Sequence, residues 1–240
     1  MTKFVNVKSE PHNIELIHNG VDNPSAIILC MHGFNGDRWG DGYGKLKSFE
    51  DILVCSYDSA GHGNSEVSSL DMRMKLINQE TIDVITYIED SYPNVPIIMF
   101  SNSYGSYRSM YYMQNHSKNI KHVICVNPAF RMLNILEKLK EFEYELLDEN
   151  SKVVMKRSLG KFMSKAYLDD LYNFKVNDIA SKLDVPVTIV IGDKDTLIPR
   201  EHIDDFVDIT NCSVIHVNDD HCLEDDNSWK TVIEYIRSII

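Results

Sequence analysis

From Ile97 to Met110 the sequence reads IIMFSNSYGSYRSM: an apolar run, three serines, one glycine, then tyrosines and methionine at helix-like spacing. A buried strand followed by small-x-Ser-x-Gly and a helix forces a tight turn. Its central residue is strained and its hydroxyl is lifted off the sheet. The residues two before and two after that serine must be small, so that helix and strand can approach closely. Gly105 meets this need on one side. On the other stands Ser101, small but carrying a Cβ and a hydroxyl. Ser101 therefore reads as a packing residue, Ser106 as a first-turn helix residue and Ser103 as the reactive one.

A serine hydroxyl is a weak nucleophile near neutral pH and needs a base, which itself needs a partner to fix its tautomer and stabilise its charged form. The chain should then supply an acid and a later histidine. VTIVIGDKDTLIP ends an apolar run with Asp193 and Asp195, and CSVIHVNDDHCLED follows the next run with His221. The order Ser103, Asp195, His221 is the one expected of α/β-hydrolases.

Five segments carry a family resemblance: MHGFNG, YDSAGHGNSE, SNSYG, GDKDTLIP and DDHCLE, in that order along nearly the whole chain. With them the chain resembles an α/β-hydrolase of the serine aminopeptidase or monoacylglycerol lipase-like group, and within it the small cinnamoyl or feruloyl esterase-like members. The resemblance implies an eight-stranded, mostly parallel sheet with helices on both faces and a small inserted cap. It implies Asp195 rather than Asp193 as the acid, and structural, loop-bracing roles for His32 and His62. The family's histidine usually follows a glycine-containing turn, and VNDDH has no glycine. Acyl transfer develops negative charge on the carbonyl oxygen, so preorganised donors are needed there. The amide of Tyr104, at the start of the elbow helix, and that of Phe34 in HGF fill this role.

The expected activity is two-step hydrolysis of a small-molecule ester with an aromatic or medium-chain acyl group, with no cofactor and no metal. A monoacylglycerol lipase, a thioesterase or an aminopeptidase on the same triad is not separated from an esterase by these residues. A non-catalytic small-ligand-binding protein of the same fold is the reading from another class.

The elements that must hold these residues alternate. KFVNVKSE and NIELIHNG read as an antiparallel opening pair, turning near Pro11 and His12. AIILCMH, DILVCSYD, VPIIMFS, KHVICVN, VPVTIVIG and CSVIHVN read as strands buried on both faces. A helix over about residues 70–90 places Met74, Ile77, Thr81, Val84, Ile85 and Ile88 on one face and charge on the other. The last helix does the same with Trp229, Val232, Ile233, Ile236, Ile239 and Ile240. His216, inside the last strand, reads as a satisfied core residue. Residues 1–240 form one domain, and the alternation breaks only over about 130–174, too long for a crossover loop. Amphipathic helix and a basic stretch are expected there, as a cap over the C-terminal edge of the sheet. Phe142, Tyr144, Phe162, Tyr167 and Tyr172 would be either its substrate-facing walls or its own small core.

Bulk composition narrows the partners. Against 24 basic residues stand 36 acidic ones, a formal net charge of −12, so a phosphate-binding surface is disfavoured and no nucleic acid is expected. No apolar run is long enough to span a membrane and the start lacks the pattern of a signal peptide, which suggests a cytoplasmic protein. Five cysteines without C-x-x-C spacing fit thiols, with Cys30, Cys55 and Cys125 inside apolar runs. Asp219, Asp220, Glu224, Asp225 and Asp226 read as a solvated acidic loop. A homodimer is left open.

Overall fold

The computed structural model describes residues 1–116, 118–138, 142–148, 151–156 and 163–240. The apolar runs form the middle of one sheet. Its strands are β1 (Lys3–Val7), β2 (Ile14–His18), β3 (Ala26–Met31), β4 (Ile52–Tyr57), β5 (Ile97–Asn102), β6 (Ile120–Val126), and two later ones numbered after the insertion, β9 (Val187–Gly192) and β10 (Ser213–Val217). Their order across the sheet is β1-β2-β4-β3-β5-β6-β9-β10. The opening pair and the β2–β4 pair are antiparallel, and every other neighbour is parallel.

Unbroken apolar runs are needed because side chains alternate between two buried faces. Ile27, Leu29, Met31, Ile97, Met99, Val123 and Cys125 point into one core, joined by α2 (Met74–Ser91) and α3 (Tyr104–Met113). Ile28, Cys30, Ile98, Phe100, Ile124 and Val126 point into the other. There they meet Tyr43 and Leu46 of α1 (Asp41–Leu46), and Trp229, Val232 and Ile236 of α8 (Asp226–Ile239). Slipping one strand by one residue would exchange the two sets, so the register is firmly specified.

Two expectations need correction. The last strand, β10, lies at the edge of the sheet, and only Val217 in it is buried. His216 is accordingly exposed and bonds through Nδ1 to Asp193 at 2.6 Å, instead of sitting in the core. In α2 the expected stripe is buried, but Glu80 is buried with it, so the charged residues do not all lie on the outer face. The stretch from 130 to 174 holds helices, as expected, and between them strands that the sequence reading did not name. It holds α4 (Met132–Lys138), an antiparallel hairpin of β7 (Phe142–Asp148) and β8 (Ser151–Lys156), then α5 (Lys165–Asn173). The alternation in FEYELLD favours a strand over a helix.

Two further helices complete the chain, α6 (Val176–Ala180) before β9 and α7 (Glu201–Thr210) after it. Among the described residues no helix is long and apolar enough to cross a membrane. They include all five cysteines and hold no disulfide; Cys30, Cys55 and Cys125 are buried.

α5 is tied to the body of the fold. Tyr167 is fully buried and donates its hydroxyl to Tyr104 Oη at 2.6 Å, so it belongs to the core and not to a substrate-facing wall. Tyr107 donates to the carbonyls of Leu171 and Phe174, both at 3.2 Å. Arg73, the residue that opens α2, offers no side-chain cap; Asp170 supplies one, accepting the Met74 amide at 2.9 Å while taking Nε and Nη2 of Arg73 at 2.7 and 2.8 Å. Tyr172 is exposed, and Phe162 lies outside the described residues.

Candidate active site

The parallel strands end on one edge, and the candidate residues collect there. Ser103 sits between β5 and α3 with φ 49° and ψ −113°, a conformation that a residue with a side chain rarely adopts. Three backbone bonds hold it: its amide donates to Val126 O at 2.8 Å, and its carbonyl accepts from Ser106 N at 3.0 Å and Ala129 N at 3.1 Å. A Cβ on Gly105 would press into the carbonyl oxygen of Met31 and lie 3.0 Å from that of His32, so α3 could not pack this closely on β3 with any other residue there. Ser101 is fully buried, and its hydroxyl has no partner among the described residues. Ser106 is buried too and spends its hydroxyl on Ser101 O at 2.9 Å. Of the three serines, Ser103 alone is half-exposed.

On the loop after β9, Asp195 accepts the amides of Leu197 and Ile198 on Oδ1, at 2.7 and 3.2 Å. Its other oxygen lies 2.7 Å from His221 Nδ1. A carboxylate only accepts, so Nδ1 carries the proton and Nε2 is left as an acceptor. Asp193 is turned to His216 instead. The structure thus brings Asp195 and His221 together. Among the described residues no hydrogen bond joins Ser103 Oγ to His221 Nε2.

Tyr104 opens α3, so its amide is among the first-turn donors that a helix leaves without an internal acceptor. The loop of Phe34 lies beside it: a Cβ added to Gly33 would stand 3.5 Å from Ser103 Cβ. The Phe34 ring packs edge-on against Tyr104 at 5.6 Å and against His62 at 5.4 Å. His32 bonds Gly33 O through Nδ1 and accepts the Ser59 amide on Nε2, at 2.8 and 3.2 Å, and His62 Nδ1 bonds Ala60 O at 2.9 Å. Both imidazoles brace loops next to the elbow. Burial pushes the Tyr104 phenol up to about 12, the Arg108 charge pulling it the other way, so it stays a neutral spacer at working pH.

The model of the serine aminopeptidase, S33 family matches residues 22–175, more than half of the chain. The chain belongs to that family of α/β hydrolases. Solved structures similar to this serine aminopeptidase-family hydrolase include Est1E from Butyrivibrio proteoclasticus with ferulic acid bound (TM-score 0.80, 21% identity, 98% of each chain). Alpha/beta hydrolase domain-containing protein 10 from mouse follows at TM-score 0.77 and 14% identity, over 99% of this chain and 98% of that one. A highly thermostable carboxyl esterase from Bacillus coagulans in complex with glycerol gives 0.71 and 16%, again over 99% and 98%. At these identities the likeness is one of fold. No curated protein matches the chain.

Three buried polar residues near the candidate site make bonds that the sequence alone does not signal. Asn127 follows β6 and bonds the His221 loop. Asp219 is buried, so the acidic loop is not wholly solvated; its carboxylate accepts the amides of Asp220 and Asp225, both at 2.9 Å. Burial pushes that carboxyl up, but the amides outweigh it and hold it below the usual range. Glu80 accepts the Ala60 amide at 2.9 Å, and its other oxygen lies 2.8 Å from His12 Nε2. The only sequence signal for it is its place on the apolar stripe, three residues after Ile77.

Proposed function

We propose that this family member hydrolyses carboxylic esters through an acyl-enzyme, with Ser103 as nucleophile, His221 as general base and acid, and Asp195 as its orienting partner. Asp195 holds Nδ1–H of His221, so Nε2 is the nitrogen that takes the Ser103 proton as Oγ attacks the ester carbonyl carbon. The oxygen becomes negative in the tetrahedral intermediate, where the amides of Phe34 and Tyr104 donate to it. Nε2–H then passes its proton to the leaving alkoxide as the C–O bond breaks. Water repeats the sequence and frees the acid. No step calls on a cofactor.

The observation that carries this reading is the Asp195–His221 bond of 2.7 Å, on the same sheet edge as a nucleophile-type turn at Ser103. Contacts between nucleophile and base are commonly longer before substrate arrives and tighten in the complex. Residues 130–174 form the cap in this reading. They leave the sheet beside the elbow, where Ala129 N bonds Ser103 O, and they return through α5. The substrate class is an ester of a small aromatic or medium-chain acid, consistent with the ferulic acid bound to Est1E.

The test is a panel of p-nitrophenyl and hydroxycinnamate esters with wild type and Ser103→Ala, alongside labelling by a fluorophosphonate probe. Turnover and labelling that vanish together in Ser103→Ala are expected. Hydrolysis that survives the substitution, or a wild type that neither turns over nor labels, ends the proposal. Faster turnover of monoacylglycerols, thioesters or aminoacyl amides would move the substrate class and keep the mechanism.

A further inference from the structure

His221 stands in a loop without glycine, yet that loop passes hard against the end of β9. The contact is possible because Gly192 has no side chain: a Cβ there would collide with the Asp220 carbonyl oxygen and sit 2.7 Å from that of Asp219. Close passage alone does not fix a loop. What fixes it is Asn127, the residue after β6, which is 1% exposed and has φ 43°. Its Nδ2 donates to the carbonyls of Asp220 and of His221 itself, both at 3.0 Å, and its Oδ1 accepts the Gly192 amide at 2.8 Å. Its own amide donates to Val190 O at 2.9 Å.

A carboxamide has two N–H donors and one carbonyl oxygen, and here all of them are engaged. One buried side chain is thereby bonded to the histidine's backbone and to the end of the strand that leads, three residues on, to Asp195. The residue before it, Val126, holds the Ser103 amide at 2.8 Å. We propose that Asn127 is a positioning residue that sets the His221–Asp195 pair in register with Ser103, an inference that rests on the ester-hydrolase reading. It touches no reacting atom. Its identity follows from two constraints: a left-handed backbone favours Asn among residues with side chains, and the site demands donors and an acceptor on one short arm. Aspartate would turn an oxygen toward two carbonyl oxygens. Glycine would keep the backbone and leave the two carbonyls and the Gly192 amide without their partner.

Asn127→Gly and Asn127→Asp test this against wild type. The readings are p-nitrophenyl butyrate kinetics, a thermal melt, and the low-field proton resonance of His221 Nδ1–H, assigned by its loss in Asp195→Asn. Misplacing a catalytic group by a fraction of an ångström should lower kcat about 10- to 100-fold, with KM within about two-fold of wild type. The resonance should broaden or vanish while the protein remains folded. A folded variant that keeps the resonance and a kcat within about two-fold of wild type overturns the proposal. Should Asn127→Gly fail to fold, Asn127→Asp, which preserves shape and the Gly192 contact, decides by the same readings. Wild-type turnover that does not depend on Ser103 would sink the ester-hydrolase reading, and the resonance would still report whether Asn127 positions His221.

Discussion

His221 and Asp195 are joined by a 2.7 Å bond, while Asp193, two residues earlier, is committed to His216 at 2.6 Å. Two acids that look alike in GDKD are thus divided between two imidazoles, one half-buried at the sheet edge and the other in solvent. Asp195→Asn should lower kcat on the order of 10⁴-fold, because the amide no longer holds the Nδ1–H tautomer. Asp193→Asn should leave kcat within about two-fold. Steady-state kinetics on p-nitrophenyl butyrate separates them, and equal losses would reassign the acid.

Gly105 and Gly33 flank the same serine with different room. A methyl at Gly105 meets the backbone of β3, whereas one at Gly33 meets Ser103 Cβ at 3.5 Å, an ordinary contact. Gly105→Ala must push α3 off the sheet, so it should cost about 2–3 kcal/mol of stability. It should also remove activity, since the amide of Tyr104 moves with the helix. Gly33→Ala should cost less than about 1 kcal/mol. Urea midpoints at a common slope test both, and similar midpoints would count against the packing argument.

Glu80 governs a pH dependence away from the candidate triad. Burial pushes its carboxyl up to about 7, the Ala60 amide and the Arg108 charge opposing and Asp83 adding to the rise; His12 and Tyr57 complete its surroundings. In the unfolded chain the group ionises near about 4.3. Between those values the folded protein keeps a proton that the unfolded chain has released, so stability falls as pH rises through the window. Glu80→Gln keeps the shape and the acceptor for Ala60. It should remove this slope and gain on the order of 3 kcal/mol over wild type at pH 8, with little difference at pH 4. Denaturation at the two pH values checks it, and parallel curves for the two proteins would refute it.

The central strands β3, β4, β5, β6 and β9 were legible because burial on two faces leaves an apolar run, and the opening pair because it alternates, signals that need no tertiary knowledge. Edge position leaves a weaker mark: SVIHV holds three apolar residues in five, and only the chain's topology puts it at the rim, where His216 faces out instead of into the core. The elbow was legible because Ser103 and Gly105 are local in sequence. Asn127 was not, since its partners lie 65 to 94 residues away and VNP carries no pattern of its own. Buried polar braces such as Glu80 share that problem, their meaning being set by whichever loop happens to arrive. The β7–β8 hairpin is a different case. Its alternation stands in FEYELLD, beside leucines and lysines at helical spacing that carry the competing signal.

Asp170 supports a last prediction, on what in the proposed cap can move. It bridges α5 to the start of α2 by three bonds, serving at once as a helix cap and as a two-pronged partner for Arg73. A lost cap costs about 1 kcal/mol and a charge-assisted pair of this geometry a similar amount, so Asp170→Ala should destabilise the whole protein by about 2 kcal/mol. Asp169→Ala, which breaks only an exposed i,i+4 pair with Lys165, should cost less than about 0.5 kcal/mol. If α5 opened as part of a lid, Asp170→Ala would leave the global urea midpoint unchanged and only speed hydrogen exchange within residues 165–173. A shifted global midpoint instead assigns α5 to the rigid body, anchored also by Tyr167 on Tyr104.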